Sequence, residues 1–250
     1  MRTKTIFFTM LLLFVMLTSS TAIAQEEEKE SYGMAEVIYI MPKIGMEKAF
    51  ENAVKEHNAK YHKEGVYKAS LDNIITGKET GWYAWVMGPC TFSDLDNRPD
   101  DEAHRAHWDK NVSPTVAKYG QTEYWKYNNK LSYSSDDSAA PKYQNLWFIG
   151  LERGQYYKFK EFMEKVRKSY EKKGEGNISI YDNEFREGDG RDVAIVWDLK
   201  NWAEMDDDDG GIKKQFEEIY GEGSWNNALK DWEASTKTIK SQVWRVGVNK

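Results

Sequence analysis

The sequence predicts an α+β fold in which two copies of one β-α-β-β-α-β unit face each other through their antiparallel sheets. Three observations predict it. Residues 35–133 and 143–250 repeat one another in the order and chemistry of their segments. Each copy alternates short strand-like runs with amphipathic helical stretches. The strand-like runs are apolar on both faces, so each sheet needs cover on both sides.

Residues 1–24 read as a secretory signal peptide: Arg2 and Lys4, an apolar run from Ile6 to Leu17, and an Ala22-Ile23-Ala24 ending. The run is short for a membrane span, and a charged leader at 25–34, with Glu26, Glu27, Glu28, Lys29 and Glu30, follows it. The protein is therefore expected to be exported, periplasmic or secreted, with no membrane span after cleavage. No cysteine stands near the cleavage point, which argues against a lipid anchor. Cys90 is the single cysteine, so no intramolecular disulfide forms and the fold must rest on its core. Loss of Arg2 and Lys4 with the signal, which holds no acid, takes the formal charge from −6 to −8. That acidic balance excludes nucleic acid as a partner. Aromatic residues make up 14% of the chain, with 10 Trp and 15 Tyr. Either the core is aromatic-rich or a surface is built for stacking.

The elements follow in matched order. Copy 1 opens with AEVIYIMPKIG and copy 2 with YQNLWFIGLERG, each an apolar strand reaching a glycine, Gly45 or Gly154. A helical pattern starts at once. Its stripes correspond: Phe50 with Phe159, Ala53 with Phe162, Val54 with Met163, His57 with Val166, Tyr61 with Tyr170. This is the i, i+3, i+4, i+7, i+11 spacing of an amphipathic helix. A second strand shares Asp72-Asn73 with Asp182-Asn183, a pairing that a bulge or Asx-turn explains. Then GWYAWVMGPCTFSDLD meets RDVAIVWDLKNWAEMD without a gap. A second helix follows, and each copy closes on a strand where Trp precedes a base, EYWKY and QVWRV. Residues 134–142, SSDDSAAPK, are small, polar and proline-containing and read as a linker.

This order is the split βαβ, or ferredoxin-like, plan, with both helices on one face of an antiparallel sheet. Val37, Tyr39 and Met41 alternate with Ile38 and Ile40. Trp82, Ala84 and Val86 alternate with Tyr83, Trp85 and Met87, and Leu146 and Phe148 with Trp147 and Ile149. Helices cover one face, and the other copy's sheet is the natural cover for the second. Two tandem ferredoxin-like units packed in this way make an intramolecular pseudo-dimeric barrel, expected to be a monomer.

The whole pattern resembles the dimeric α/β-barrel (antibiotic-biosynthesis-monooxygenase-like) superfamily, in a fused tandem, exported form. The resemblance covers nearly all of the chain after the leader and rests on architecture and repeat rather than on a signature motif. It implies a site in a cavity between the helix pair and the sheet of one copy. The activities it brings into view are those of cofactor-free monooxygenases, haem-degrading enzymes, isomerases, decarboxylases and stress-response proteins.

Candidate chemistry gathers in copy 1. His57 stands on the apolar helix stripe where copy 2 has Val166, so its ring needs a polar partner. It is either a satisfied core histidine or a cavity-facing acid, base or ligand. His62, matching Glu171, is expected at the surface. In DEAHRAHWDKN (101–111), His104, His107, Trp108 and Asn111 share one helix face, whose counterpart in copy 2 is the stripe Ile212, Phe216 and Ile219 or Tyr220. The helix starts after Pro99 and is limited by Pro114. All four histidines fall in copy 1. His57 and His107 are therefore the candidate catalytic residues, and His104, Trp85, Trp108, Asn73 and Tyr39 the candidate ligand-binding ones. The histidines are expected to be partly desolvated and neutral near pH 7.

No metal is expected, because an H-x-x-H pair lacks the third and fourth ligands zinc requires and no cysteine partner exists. No cofactor is expected either. Haem is the alternative the resemblance introduces, through an axial histidine near Trp85 and Trp108. The haem-degrading members, however, use an asparagine on the first strand, and EVIYIMPKIG has none. Asp206–Asp209 lacks the alternating spacing of a calcium loop and reads as a solvated entry to a helix. P-loop, dinucleotide and nucleophile-elbow motifs are missing. The expected function is binding of a small aromatic or apolar molecule in the helix-sheet cavity of copy 1. The alternatives are an enzyme of that superfamily using a copy-1 histidine (a cofactor-free monooxygenase or isomerase, or haem-handling), and a structural module without ligand.

Overall fold

The computed structural model describes residues 32–135, 140–206 and 212–248. The expected signal peptide, the leader as far as residue 31, the middle of the expected linker and Asp207–Asp209 lie outside the described residues. No helix among those described is long and apolar enough to cross a membrane.

The first half runs β1 (Met34–Pro42), α1 (Glu47–Tyr61), β2 (Ala69–Ile74), β3 (Tyr83–Cys90), a short α2 (Phe92–Asp96), α3 (Glu102–Asn111) and β4 (Val116–Tyr127). A two-residue strand, β5 (Tyr133–Ser134), follows. The second half runs β6 (Tyr143–Leu151), α4 (Tyr156–Lys173), β7 (Asn177–Asn183), β8 (Val193–Leu199), α5 (Ile212–Tyr220), α6 (Ser224–Ser235) and β9 (Thr236–Arg245). Gly45 and Gly154 turn the chain from strand into helix at φ +80° and +79°, a backbone region that side chains with a Cβ disfavour. The structure is thus a mixed α+β fold with one large antiparallel sheet.

That sheet has no free ends among its eight long strands. Their hydrogen-bonded order is β4-β1-β3-β2-β9-β6-β8-β7, and β7 pairs back onto β4. The two sheets expected to stack face to face are therefore joined along both edges into a ring. The seams are short: Asn73 and Ile74 pair with Arg245 and Trp244, and Trp125, Lys126 and Tyr127 pair with Asn183, Asp182 and Tyr181. The repeated Asp-Asn pairs sit at these seams. Asp72 accepts from the Gly247 amide at 2.7 Å, Asn183 caps a turn by accepting from the Phe185 amide, and Asp182 accepts from Asn128 and Tyr156.

Strand parity separates the two apolar faces. Val37, Tyr39, Ala84, Trp125, Leu146, Phe148 and Trp244 form an interior cluster drawn from both halves. Ile40, Tyr83, Trp85 and Met87 face the helices of the first half, while Ile149, Val193 and Ile195 face those of the second. One ion pair lies inside the ring. Arg191 donates to both carboxylate oxygens of Glu123, at 2.5 and 2.8 Å, and to the Tyr39 hydroxyl. Its guanidinium lies 3.6 Å from the Phe148 ring centroid.

Gly150 on β6 is crowded by its ladder partner on β9 and by the loop before β8. A Cβ there meets Thr238 Oγ1 at 2.4 Å and the Gly190 backbone at 2.7 Å. Gly150→Val is expected to cost about 1–3 kcal/mol by overpacking, read from denaturant midpoints. A variant as stable as the parent would show that β6 moves freely here.

Candidate functional site

The outer layer of the second half is filled. From α4, Phe159, Phe162, Met163 and Val166 pack with Phe216 and Ala228 in one buried cluster. The first half differs at the matching place. On α1, Phe50 and Val54 are buried, but the next two buried side chains are His57 and Asn58. Asn58 accepts from the Trp85 indole at 3.0 Å and donates to the Ala69 carbonyl, which fixes the Trp85 ring beside the histidine.

α3 is capped by Asp101, whose carboxylate accepts from the His104 amide at 2.8 Å. The helix points His104 and His107 at α1. His57 Nε2 lies 3.1 Å from His104 Nε2, and His57 Nδ1 lies 3.2 Å from His107 Nδ1. The Tyr61 ring stacks on His104 with centroids 4.6 Å apart, and Trp108 meets the His57 ring edge-on at 4.9 Å. These side chains border a cavity of about 260 Å³, whose walls include Ile38, His57, His62, Trp85, His104 and Trp108. Arg98, Asp100, Arg105 and Asp109 complete its lining.

Of the residues singled out in the sequence, the structure brings together His57, His104, His107, Trp85 and Trp108. Tyr39 and Asn73 lie elsewhere. Tyr39 points into the ring interior, where its hydroxyl donates to Glu123 at 3.0 Å. Asn73 belongs to the seam, donating to the Trp82 carbonyl.

His62 was expected at the surface and is instead 4% exposed. It follows the last turn of α1, where the backbone has left the helical path, and the turn at Gly65–Tyr67 folds over it. Its Nδ1 lies 2.9 Å from the Tyr67 carbonyl and its Nε2 3.1 Å from His104 Nε2. One ring nitrogen from each of His57, His62 and His104 lies within 4.8 Å of the other two, so three imidazoles converge where the sequence suggested a pair without partners. The expectation of no metal counted the His104–His107 pair and the lack of a cysteine partner; the structure sets His57 and His62 beside His104.

Burial, with the neighbouring histidines and Lys60, lowers the His57 pKa to about 3. Burial, with His104 and Arg98, lowers that of His62 to about 4, against the bond to the Tyr67 carbonyl. Both are therefore neutral at pH 7. A base so weak is poorly matched to proton abstraction near neutrality, whereas a neutral imidazole lone pair is what a metal ion or hydrogen-bond donor requires. Haem fits these residues poorly. The cavity, at about 260 Å³, is smaller than the roughly 300–1,000 Å³ of drug-sized ligand sites, and a haem macrocycle is larger than most drug-sized ligands.

Arg98 and Asn58 were not foreseen. Arg98 donates to Glu36, which also accepts from Tyr124 at 2.9 Å, and so a cationic side chain is anchored beside the cavity.

No protein-family model and no curated protein matches the sequence. Solved structures match in shape. A protein provisionally named a monooxygenase, from Lactobacillus acidophilus, aligns over 87% of this chain and 95% of its own, with a TM-score of 0.55 and 8% identity. The chlorite dismutase of Candidatus Nitrospira defluvii, solved with imidazole, aligns over 86% and 92%, with a TM-score of 0.52 and 7% identity. An anthrone oxidase-like protein aligns over 87% and 92%, with a TM-score of 0.51 and 10% identity. Identities this low speak to architecture alone. What this chain shares with these neighbours is their fold.

Proposed function

We propose that the protein is an enzyme acting on a small aromatic or apolar molecule, held in the first-half pocket against Trp85 and Trp108 and worked on at the histidine array. The observation that carries this reading is the contrast between the halves. One has its helix-sheet layer filled by Phe162, Val166 and Phe216, and the other has a cavity walled by three histidines and two tryptophans at the matching place. In this reading the indoles supply apolar, stackable walls, and the neutral imidazoles supply lone pairs toward the reacting end of the ligand. The oxygen-handling names among the neighbours favour oxygenation as the first reaction to test.

The test uses anthrone as probe, following tryptophan fluorescence, oxygen uptake and product by chromatography. Saturable quenching is expected, weakened at least about tenfold by Trp108→Ala, a loss of roughly 1.4 kcal/mol in binding. His57→Val, which installs the residue the second half carries, should keep the fold and abolish turnover. A His57→Val chain that loses stability while binding and turnover stay at parental levels would make the cluster structural. Absence of both quenching and turnover across anthrone and simple naphthols would sink the reading outright.

The same proposal takes the two halves as tandem ferredoxin-like copies, exported as a monomer. The support is the matched element order and the intramolecular seams. Residues 32–134 expressed alone should dimerise or aggregate, because the interior face would be bare. A soluble monomeric fragment by light scattering would count against the pairing.

A further inference from the structure

We propose that His57, His62 and His104 bind one divalent transition-metal ion of the imidazole-preferring class, zinc(II) or copper(II), through their Nε2 atoms. The inference deepens the reading of the pocket and rests on it for the pocket being a working site. Metal binding itself is measured without any substrate.

Proton bookkeeping carries the argument. A backbone carbonyl only accepts. His62 Nδ1, 2.9 Å from the Tyr67 carbonyl, and His104 Nδ1, 3.0 Å from the Pro99 carbonyl, therefore hold their protons. A neutral ring protonated at Nδ1 presents a bare lone pair at Nε2. His62 Nε2 and His104 Nε2 then meet at 3.1 Å with no proton between them. His57 Nε2 stands at the same distance from His104 Nε2. All these atoms are satisfied together when His57 donates from Nδ1 to His107 Nδ1, 3.2 Å away, and a cation sits where the three lone pairs converge.

The geometry suits such an ion. Tetrahedral ligation by imidazole at about 2.0–2.1 Å sets nitrogens about 3.3–3.4 Å apart, close to the two 3.1 Å pairs. The widest pair, within 4.8 Å, closes with a modest turn of one ring. Each ligand has its outer nitrogen held, by Tyr67, Pro99 or His107, in the manner that orients metal-bound histidines. His57, His62 and His104 all line the cavity, so the fourth coordination position opens onto the ligand space. Three protein ligands and one open position are the arrangement of catalytic rather than structural sites. Of the charged side chains lining the cavity, Arg98 is engaged by Glu36 and Arg105 by Asp100, and Asp109 adds a carboxylate at the rim. When bound, the ion would act as a Lewis acid toward a ligand oxygen or water.

The chain makes the test clean, because it holds four histidines and one cysteine in all, the histidines meet here, and Cys90 is buried. Tag-free full-length chain is stripped with chelator and titrated with zinc by calorimetry, and with cobalt(II) as an optical probe. One ion per chain is expected, with a tetrahedral cobalt spectrum and a melting temperature that rises with free zinc. His62→Gln and His104→Gln should each weaken zinc binding at least about hundredfold, and His107→Ala about tenfold through the outer contact. Unchanged zinc affinity in both glutamine variants, with native near-UV circular dichroism, overturns the proposal. So does zinc binding no tighter than about millimolar. Should either variant fail to fold, the parent's cobalt spectrum decides, and an octahedral, water-like spectrum counts against the site. Anthrone quenching in a chain whose zinc titration shows one of those overturning results would leave the pocket reading standing while the metal falls.

Discussion

Replacing Arg191 with methionine destabilises the barrel by about 3–5 kcal/mol, the cost of leaving one charge of a buried pair without its partner. Glu123 is 4% exposed and Arg191 6%, so water cannot reach in to compensate. Glu123 keeps donors in Tyr39, Trp125 and Gln121, but all three are neutral and none offsets a carboxylate charge. The guanidinium also fills the space over Phe148, which methionine only partly replaces. For a chain of this size the loss lowers Tm by roughly 10 °C. The double variant Arg191→Met, Glu123→Leu should recover much of the loss, because a well-packed apolar replacement of both charges is often neutral or better. A single variant within about 1 kcal/mol of the parent in urea, or a double variant no better than the single, would show that the pair is solvated in solution.

Acid should loosen the first half of the metal-free chain before the second. His57 and His62 have folded pKa values lowered to about 3 and about 4, against an unfolded value near 6.5. The unfolded chain therefore binds more protons between pH 6.5 and 4, and stability rises with pH across that window. It is fully present above about 6.5 and is lost as pH falls toward the folded values. Two such groups, each worth about 1.4 kcal/mol per pH unit, remove roughly 3–5 kcal/mol by pH 4.5. The groups facing them, His104, His107, Lys60 and Arg98, oppose added positive charge; at the rim Asp100 is paired with Arg105, and Asp109 only partly relieves it. His57→Val should flatten the slope by about half. Stability measured by urea at pH 7, 6, 5 and 4.5 checks this, and a parental curve no steeper than that of His57→Val would refute it.

The histidine layer was half visible in the sequence. The period of α1 places His57 inward because a helix repeats its faces predictably, and α3 follows the same rule for His104 and His107. His62 escapes that rule because it lies past the helix end. Its burial depends on the Gly65–Tyr67 turn folding over it, a tertiary event that no periodicity encodes. Tyr39 shows the converse difficulty. Strand alternation separates it from Ile38 and Ile40, but with both faces apolar the pattern does not say which face meets the helices. Asn73 looked like a site residue because it is polar within a strand, yet it pairs across the seam with Arg245, whose guanidinium donates to it, and its amide donates to the Trp82 carbonyl of its own hairpin. Arg98 follows a short helix and reaches Glu36 only because β1 passes beneath it.

The ring of strands closes within one chain, and this changes what dilution and symmetry can do. In a barrel made by two separate chains the seams are bimolecular, and mass action opens them as protein becomes scarce. Here β2 with β9 and β4 with β7 are tethered, so closure costs a loop entropy that grows only slowly with tether length and is indifferent to concentration. A two-fold dimer must also repeat every change in both of its pockets. A single chain is released from that duty: one outer layer can stay packed with phenylalanine as scaffold while the other gives up packing to hold four histidines.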